Sequence, residues 1–194
     1  MALSGMLQSL NVARATPVAI NGRKVMTAIG KRPVDGPLAV LPLGLEGDEQ
    51  ADLSVRGGPS KAVYAYPSEH YAFWQTVRAQ AGVSLWDEAL PPGSLGENLT
   101  IAGALETQLW IGDVLRFPQC ALAVSEPRYP CFKFTAARGF KHAGKLMAES
   151  AWCGLYLAVR EPGTIAAGET FEIVPGPREV GITELFRARM SRAR

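Results

Sequence analysis

Short apolar runs broken by turn residues set the pattern from the first part of the chain. Thr16-Pro17-Val18-Ala19-Ile20 leads into Asn21-Gly22 and then Arg23-Lys24-Val25-Met26-Thr27-Ala28-Ile29. An Asn-Gly pair between two such runs predicts a hairpin with a two-residue turn. After Tyr66 the period changes: Pro67 suits a first helical turn, and Tyr71, Trp74, Val77, Arg78 and Ala81 fall near one face before Gly82. That spacing predicts a helix. A second helix is predicted from Thr135 to about Glu149, burying Phe140, Ala143, Leu146 and Met147. Two glycine-acid corners, Gly112-Asp113-Val114-Leu115-Arg116-Phe117 and Gly168-Glu169-Thr170-Phe171-Glu172-Ile173, each enter an alternating strand, as at the corners of a small barrel. Trp152 to Val159 reads as a further strand with Leu155, Leu157 and Val159 on one face, and Ile182 to Met190 as a short helix after Pro175-Gly176-Pro177. Together these elements predict a mostly β or α+β fold, barrel-like, with a few peripheral helices.

Composition supports that reading and narrows the functions. The 194 residues, 47% of them apolar, fit one domain over 1–177 with a short helical tail over 178–194. Twenty glycines and fourteen prolines are more than a helical protein carries. Net charge is only +2, with basic residues gathered only in the tail Arg187-Ala188-Arg189-Met190-Ser191-Arg192-Ala193-Arg194, so wholesale nucleic-acid binding is not expected. No run of about 18 apolar residues occurs and no signal-peptide pattern opens the chain, so neither a membrane span nor secretion by that route is expected. Three cysteines, at 120, 131 and 153, offer neither a disulfide framework nor a zinc ribbon, and a reducing cytoplasm is the expected compartment.

One of those cysteines stands in an unusual setting. Cys131 lies in Ser125-Glu126-Pro127-Arg128-Tyr129-Pro130-Cys131-Phe132-Lys133, behind the strand-like Ala121-Leu122-Ala123-Val124. Two prolines stiffen the loop, and cations on either side would hold a nearby thiolate in its charged form, as a nucleophile or a soft-metal ligand. A buried cysteine acting as a small hydrophobe is the alternative. Arg56-Gly57-Gly58-Pro59 offers backbone N–H groups and a guanidinium for an anion nest, although a Gly-Gly-Pro turn reads the same way. Glu97 and Asn98, after Gly96, supply a carboxylate and an amide suited to the edge of a fused heterocycle. Gly139 to Leu146 nearly spells a phosphate-binding loop but carries Leu146 where Ser or Thr is needed, and it sits in a helical pattern. His70 and His142 lack metal-ligand spacing.

The order of these motifs, Gly44-Leu45-Glu46-Gly47-Asp48, Gly57-Gly58-Pro59, Tyr66-Pro67-Ser68-Glu69-His70-Tyr71, Gly96-Glu97-Asn98-Leu99, Ile111-Gly112-Asp113 and Arg128-x-Pro130-Cys131-x-Lys133, resembles the MOSC domain family, in particular its bacterial YiiM-like branch, over roughly residues 15–175. The resemblance implies a β-barrel-like fold and a molybdenum cofactor (molybdopterin), with Cys131 as catalytic residue and protein ligand to the metal. On that reading Arg128 and Lys133 stabilise the thiolate or neutralise the cofactor's phosphate, Arg56, Gly57 and Gly58 cradle phosphate, and Glu97 and Asn98 hold the pterin edge. The implied reaction is reduction of a small N-hydroxylated compound, a hydroxylamino-purine or amidoxime, with Glu46, Asp48 or His70 as alternatives for proton delivery. Electrons would come from a flavin or iron–sulfur reductase, since the chain has no dinucleotide fingerprint and no four-cysteine cluster. A cysteine-persulfide sulfur carrier and a cofactor-free binding module are the alternatives. The branch carries His-Gly-Gly where this chain has Arg56-Gly57-Gly58, and longer members add a three-helix extension after the barrel.

Overall fold

The computed structural model describes residues 3–51 and 57–192, so Arg56 lies outside the described residues. In chain order the strands are β1 (Ser4–Val12), β2 (Thr16–Ile20), β3 (Arg23–Thr27), β4 (Arg32–Pro33), β5 (Leu38–Leu41), β6 (Gly44–Leu45) and β7 (Val63–Pro67). They continue as β8 (Leu99–Ala102), β9 (Val114–Arg116), β10 (Ala121–Pro127), β11 (Leu155–Glu161), β12 (Gly163–Ile165) and β13 (Thr170–Val174). The helices are α1 (Tyr71–Gln80), α2 (Phe132–Arg138), α3 (Ala143–Ser150) and α4 (Ile182–Arg192).

Seven strands close on themselves in the order β13-β9-β10-β11-β7-β8-β1, and β1 pairs back with β13 through Ser4↔Glu172 and Met6↔Thr170. Closure removes the unpaired strand edges that invite aggregation. The neighbours are antiparallel except β7 and β8, which run parallel. A parallel pair needs a crossover, and α1 lies within the connection between them. β7 is buried along its whole length, and its tyrosine hydroxyls are satisfied by backbone: Tyr64 Oη donates to Cys153 O at 2.8 Å and Tyr66 Oη to Trp152 O at 3.0 Å. The two predicted glycine corners pair with each other, β9 lying on β13 through Leu115↔Ile173. Gly112 and Gly168 turn at φ +90° and +91°, where a Cβ would strain the backbone.

The hairpin forms as the Asn-Gly pair predicts. β2 and β3 pair from Thr16↔Thr27 to Ile20↔Arg23, and both turn residues have positive φ, Asn21 at 50° and Gly22 at 74°. The helix after Tyr66 begins later than predicted: Pro67 ends β7, a short 3-10 turn spans Ser68–His70, and α1 starts at Tyr71. The single helix expected over Thr135–Glu149 is two. Gly139 ends α2 in a left-handed conformation, φ +80°, and α3 restarts at Ala143, so Ala143 and Met147 are buried while Phe140 and Leu146 are only partly covered. The strand expected from Trp152 begins at Leu155, because Gly154 turns there at φ +66°. α4 packs on the barrel through fully buried Ile182 and Phe186, and Phe186 stacks on Tyr129 with ring centroids 5.6 Å apart.

Candidate functional site

β10 ends at Pro127, and the segment behind it sets three candidate residues in a row. Arg128 turns inward and is 2% exposed. Its Nη1 donates to Leu95 O at 2.7 Å and Tyr64 Oη at 3.4 Å, and the guanidinium lies 4.8 Å from the Tyr64 ring and 4.9 Å from the Phe134 ring. Burial alone would lower its pKa; the nearby polar groups of Tyr64, Tyr156 and Cys131 more than offset that and hold it above its ordinary value. The buried cation is therefore permanent. Cys131 follows as the N-cap of α2, in extended conformation, with its Sγ accepting from Phe134 N–H at 3.4 Å. It is the partly exposed thiol of the chain, whereas Cys120 and Cys153 are buried. Lys133 Nζ donates to Met26 O at 2.9 Å, joining the start of α2 to the β2–β3 hairpin.

Arg128 and Lys133 both line an open cleft that encloses about 630 Å³ of empty space, its solvent-facing mouth included. Among the described residues, the cleft's other cations are Lys31 and Lys61, and its carboxylates are Asp48 and Glu49. Cys131 stands between two cleft-lining cations in sequence without lining the cleft itself. The floor is organised by Asp48. Its Oδ1 accepts from Lys31 Nζ at 2.5 Å and Ala13 N–H at 2.8 Å, and its Oδ2 accepts from Asn98 Nδ2 at 2.8 Å. Lys31 is almost fully covered, and burial lowers its pKa despite the attraction of Asp48. Asn98 is a structural tie as much as a lining residue: Nδ2 also donates to Asn11 O, and Oδ1 accepts from Tyr64 N–H at 3.1 Å.

The other sequence candidates divide. Glu97 does not line the cleft, although Gly96 and Asn98 on either side of it do. It is fully buried and accepts from Gly93 N–H at 2.9 Å, Leu95 N–H at 3.0 Å, the Thr100 hydroxyl at 2.9 Å and the Tyr71 hydroxyl. Burial pushes its pKa up, and those donors pull against it. Gly58 (φ +84°) precedes the 3-10 turn Pro59–Lys61, and its N–H donates to Gln50 Oε1 at 3.3 Å; neither Gly57 nor Gly58 lines the cleft. Gln50, which does, also donates to Lys61 O at 3.2 Å and so fixes that rim. Glu46 is exposed outside the cleft. His70 is buried on Glu106, Nε2 to Oε2 2.8 Å, and stacks on Trp152 with centroids 4.5 Å apart. Glu106 also accepts from Gly154 N–H at 2.7 Å, so this pair locks α1's approach to β11.

Lys31, Gln50, Tyr64 and Glu106 carry much of this geometry and were not singled out in the sequence. No local motif marks them, since the partners are 17 or more residues away for Lys31, Tyr64 and Glu106 and 7 to 12 away for Gln50. Among the described residues no group of three or more His, Cys, Asp or Glu comes together to hold a metal ion. A metal at Cys131 would have to arrive with most of its ligands already attached. A partly exposed thiol beside a cleft lined by several cations suits such a group when it is anionic and has a soft metal, because thiolate selects soft centres and the cations answer phosphate.

The molecule is a closed barrel with a charged cleft beside it. The comparisons place it more closely. The MOSC domain model matches residues 52–172. The chain is 36% identical over 183 residues to the uncharacterized protein YflK of Bacillus subtilis, covering 94% of this chain and 79% of that one. It is 35% identical over 158 residues to protein YiiM of Escherichia coli, covering 81% and 68%. It is also 31% identical over 174 residues to a reductase of Gibberella moniliformis, 89% of this chain but only 30% of that protein. The crystal structure of YiiM from Geobacillus stearothermophilus superposes with a TM-score of 0.75 at 27% identity, covering 97% and 85%. The chain belongs to the MOSC domain family, in its YiiM-like branch. No helix among the described residues is long and apolar enough to cross a membrane.

Proposed function

We propose that this protein is a molybdenum-cofactor reductase of N-hydroxylated compounds, acting in the cytoplasm with an external flavin or iron–sulfur reductase as electron donor. The observation that carries the reading is Cys131: a partly exposed thiol, held by α2's first turn, on the segment between two cations that line the cleft. Family membership and the relative named a reductase favour the same class. The bound cofactor would supply a two-electron centre able to take up oxygen. Cys131 would be its protein ligand, and Lys61, Lys133 and the rim beside Gly57 and Gly58 would face its phosphate. Arg128, clamped between two rings, would hold a fixed positive charge behind the thiolate.

The reaction cleaves an N–O bond. Two electrons and two protons enter, an N–H replaces the N–O bond, and the oxygen leaves as water. For proton delivery, Glu46 lies outside the cleft and His70 is engaged by Glu106. Asp48 lies on the floor with Lys31, whose lowered pKa makes its ammonium a better acid than a solvated lysine, so the Lys31–Asp48 pair is the proton source on this reading.

The test is turnover without a protein partner. Cofactor-loaded protein with dithionite-reduced viologen should convert benzamidoxime to benzamidine. Absence of turnover, together with a persulfide on Cys131 after incubation with a cysteine desulfurase, would replace the reductase by a sulfur carrier.

A further inference from the structure

A second opening adjoins the cleft beneath the β2–β3 hairpin. Val18 and Ile20 of β2, Ile29 just after β3, and Ala136 and Ala137 of α2 form its walls around about 620 Å³ of empty space, its solvent-facing mouth included. Thr27, Ile29 and Lys133 line both openings, so the two adjoin across these side chains. Their chemistry differs. The cleft carries both cations and the carboxylates Asp48 and Glu49, whereas the groove is mainly aliphatic and the charged side chains on it, Arg14 and Lys133, are both cations.

We propose that this groove receives the planar aromatic body of the substrate while its polar head enters the cleft; the assignment rests on the reductase reading. Three features favour a ring. Ala136 and Ala137 on the exposed side of α2 present no side chain beyond a methyl, which leaves a shallow floor for a flat group. The two cations favour the electron-rich face of an aromatic ring over an aliphatic chain. The roof is held in place, because Lys133 Nζ bonds Met26 O and pins the hairpin to α2, while Val18 on β2 stays 43% exposed. A head group in the cleft therefore has an apolar wall beside it on the hairpin side.

The experiment compares two amidines that share a head and differ in body, benzamidine and acetamidine, binding to the full chain by NMR titration. Burying about 60 Å² of apolar ring surface suffices for about tenfold tighter binding of benzamidine. The double variant Ala136→Leu/Ala137→Leu fills the floor with good helix formers and should fold; it should abolish that preference and leave acetamidine unchanged. Equal binding of the two amidines by the wild type, or an undiminished preference in the variant, overturns the assignment. Turnover separates the two readings. In loaded protein the variant should raise KM for benzamidoxime about tenfold and leave acetamidoxime unaltered. If neither amidoxime is reduced but the variant still loses the benzamidine preference, the groove stands and the reductase falls. If both are reduced and the variant changes nothing, the reductase stands and the groove falls.

Discussion

At the scale of single residues the three thiols separate cleanly. Burial pushes the Cys120 thiol up to about 11 and Cys153 well above the ordinary range, and both side chains are covered. At pH 7.5 maleimide should therefore modify Cys131 alone, the other two reacting only after unfolding; peptide mass spectrometry checks it, and early labelling of Cys153 would contradict it. The sign for stability follows. Cys120 ionises near 9.0 in the unfolded chain but near 11 in the folded chain, so its contribution is present below 9 and is lost as pH rises through 11. The floor pair makes a second prediction. Asp48→Asn leaves the covered Lys31 ammonium without its carboxylate and should cost about 3 kcal/mol in urea unfolding, whereas adding Lys31→Met should recover much of that. Additive losses would mean that the pair is not coupled. Arg138 is the opposite case: it is 8% exposed, its Nε has no hydrogen-bond partner, and burial followed by repulsion from Arg78 lowers its pKa to about 10. Arg138→Met should raise stability by about 1–2 kcal/mol at neutral pH, and a fall in Tm would count against this account.

At the scale of elements, legibility followed whether the signal was local. The hairpin, α1 and the glycine corners were readable because turn chemistry and period lie within a few residues. The split of α2 from α3 is hidden in the sequence, because apolar spacing continues across Gly139 and masks its C-cap role. The candidate cysteine was legible from its prolines and cations. The roles of its neighbours were not: Glu97 reads as a ligand-facing carboxylate, yet it is sealed inside by Gly93, Leu95, Thr100 and Tyr71. Such choices of face are made by tertiary packing. The same element-level reasoning predicts that Gly139→Ala costs about 1 kcal/mol, since the left-handed turn penalises a Cβ and the nearest atoms, on Val83, are no closer than 3.7 Å. Thermal unfolding checks this, and an unchanged or raised Tm would show that the break between the helices needs no glycine.

At the scale of the whole molecule the barrel depends on its closing seam. Gly5 sits where β1 meets β13, and a Cβ there would come within 2.4 Å of Phe171 Cζ and 2.5 Å of Ala102 O. One of those atoms is backbone and cannot swing aside, so Gly5→Ala should destabilise the whole barrel by about 3 kcal/mol, read as a cooperative fall in Tm. Beside this closed frame the β2–β3 hairpin forms its own two-stranded sheet, joined to α2 through Lys133 and Met26. On the function proposed above, this frame presents Cys131 to a molybdenum-containing cofactor. That claim is tested most directly by metal content. Protein expressed in a cofactor-producing host and purified gently should carry molybdenum in proportion to chain, and Cys131→Ala, folded by circular dichroism, should lose it while Cys120→Ala keeps it. Equal molybdenum in the wild type and Cys131→Ala, or none in a wild type from a host shown to make the cofactor, would contradict the claim.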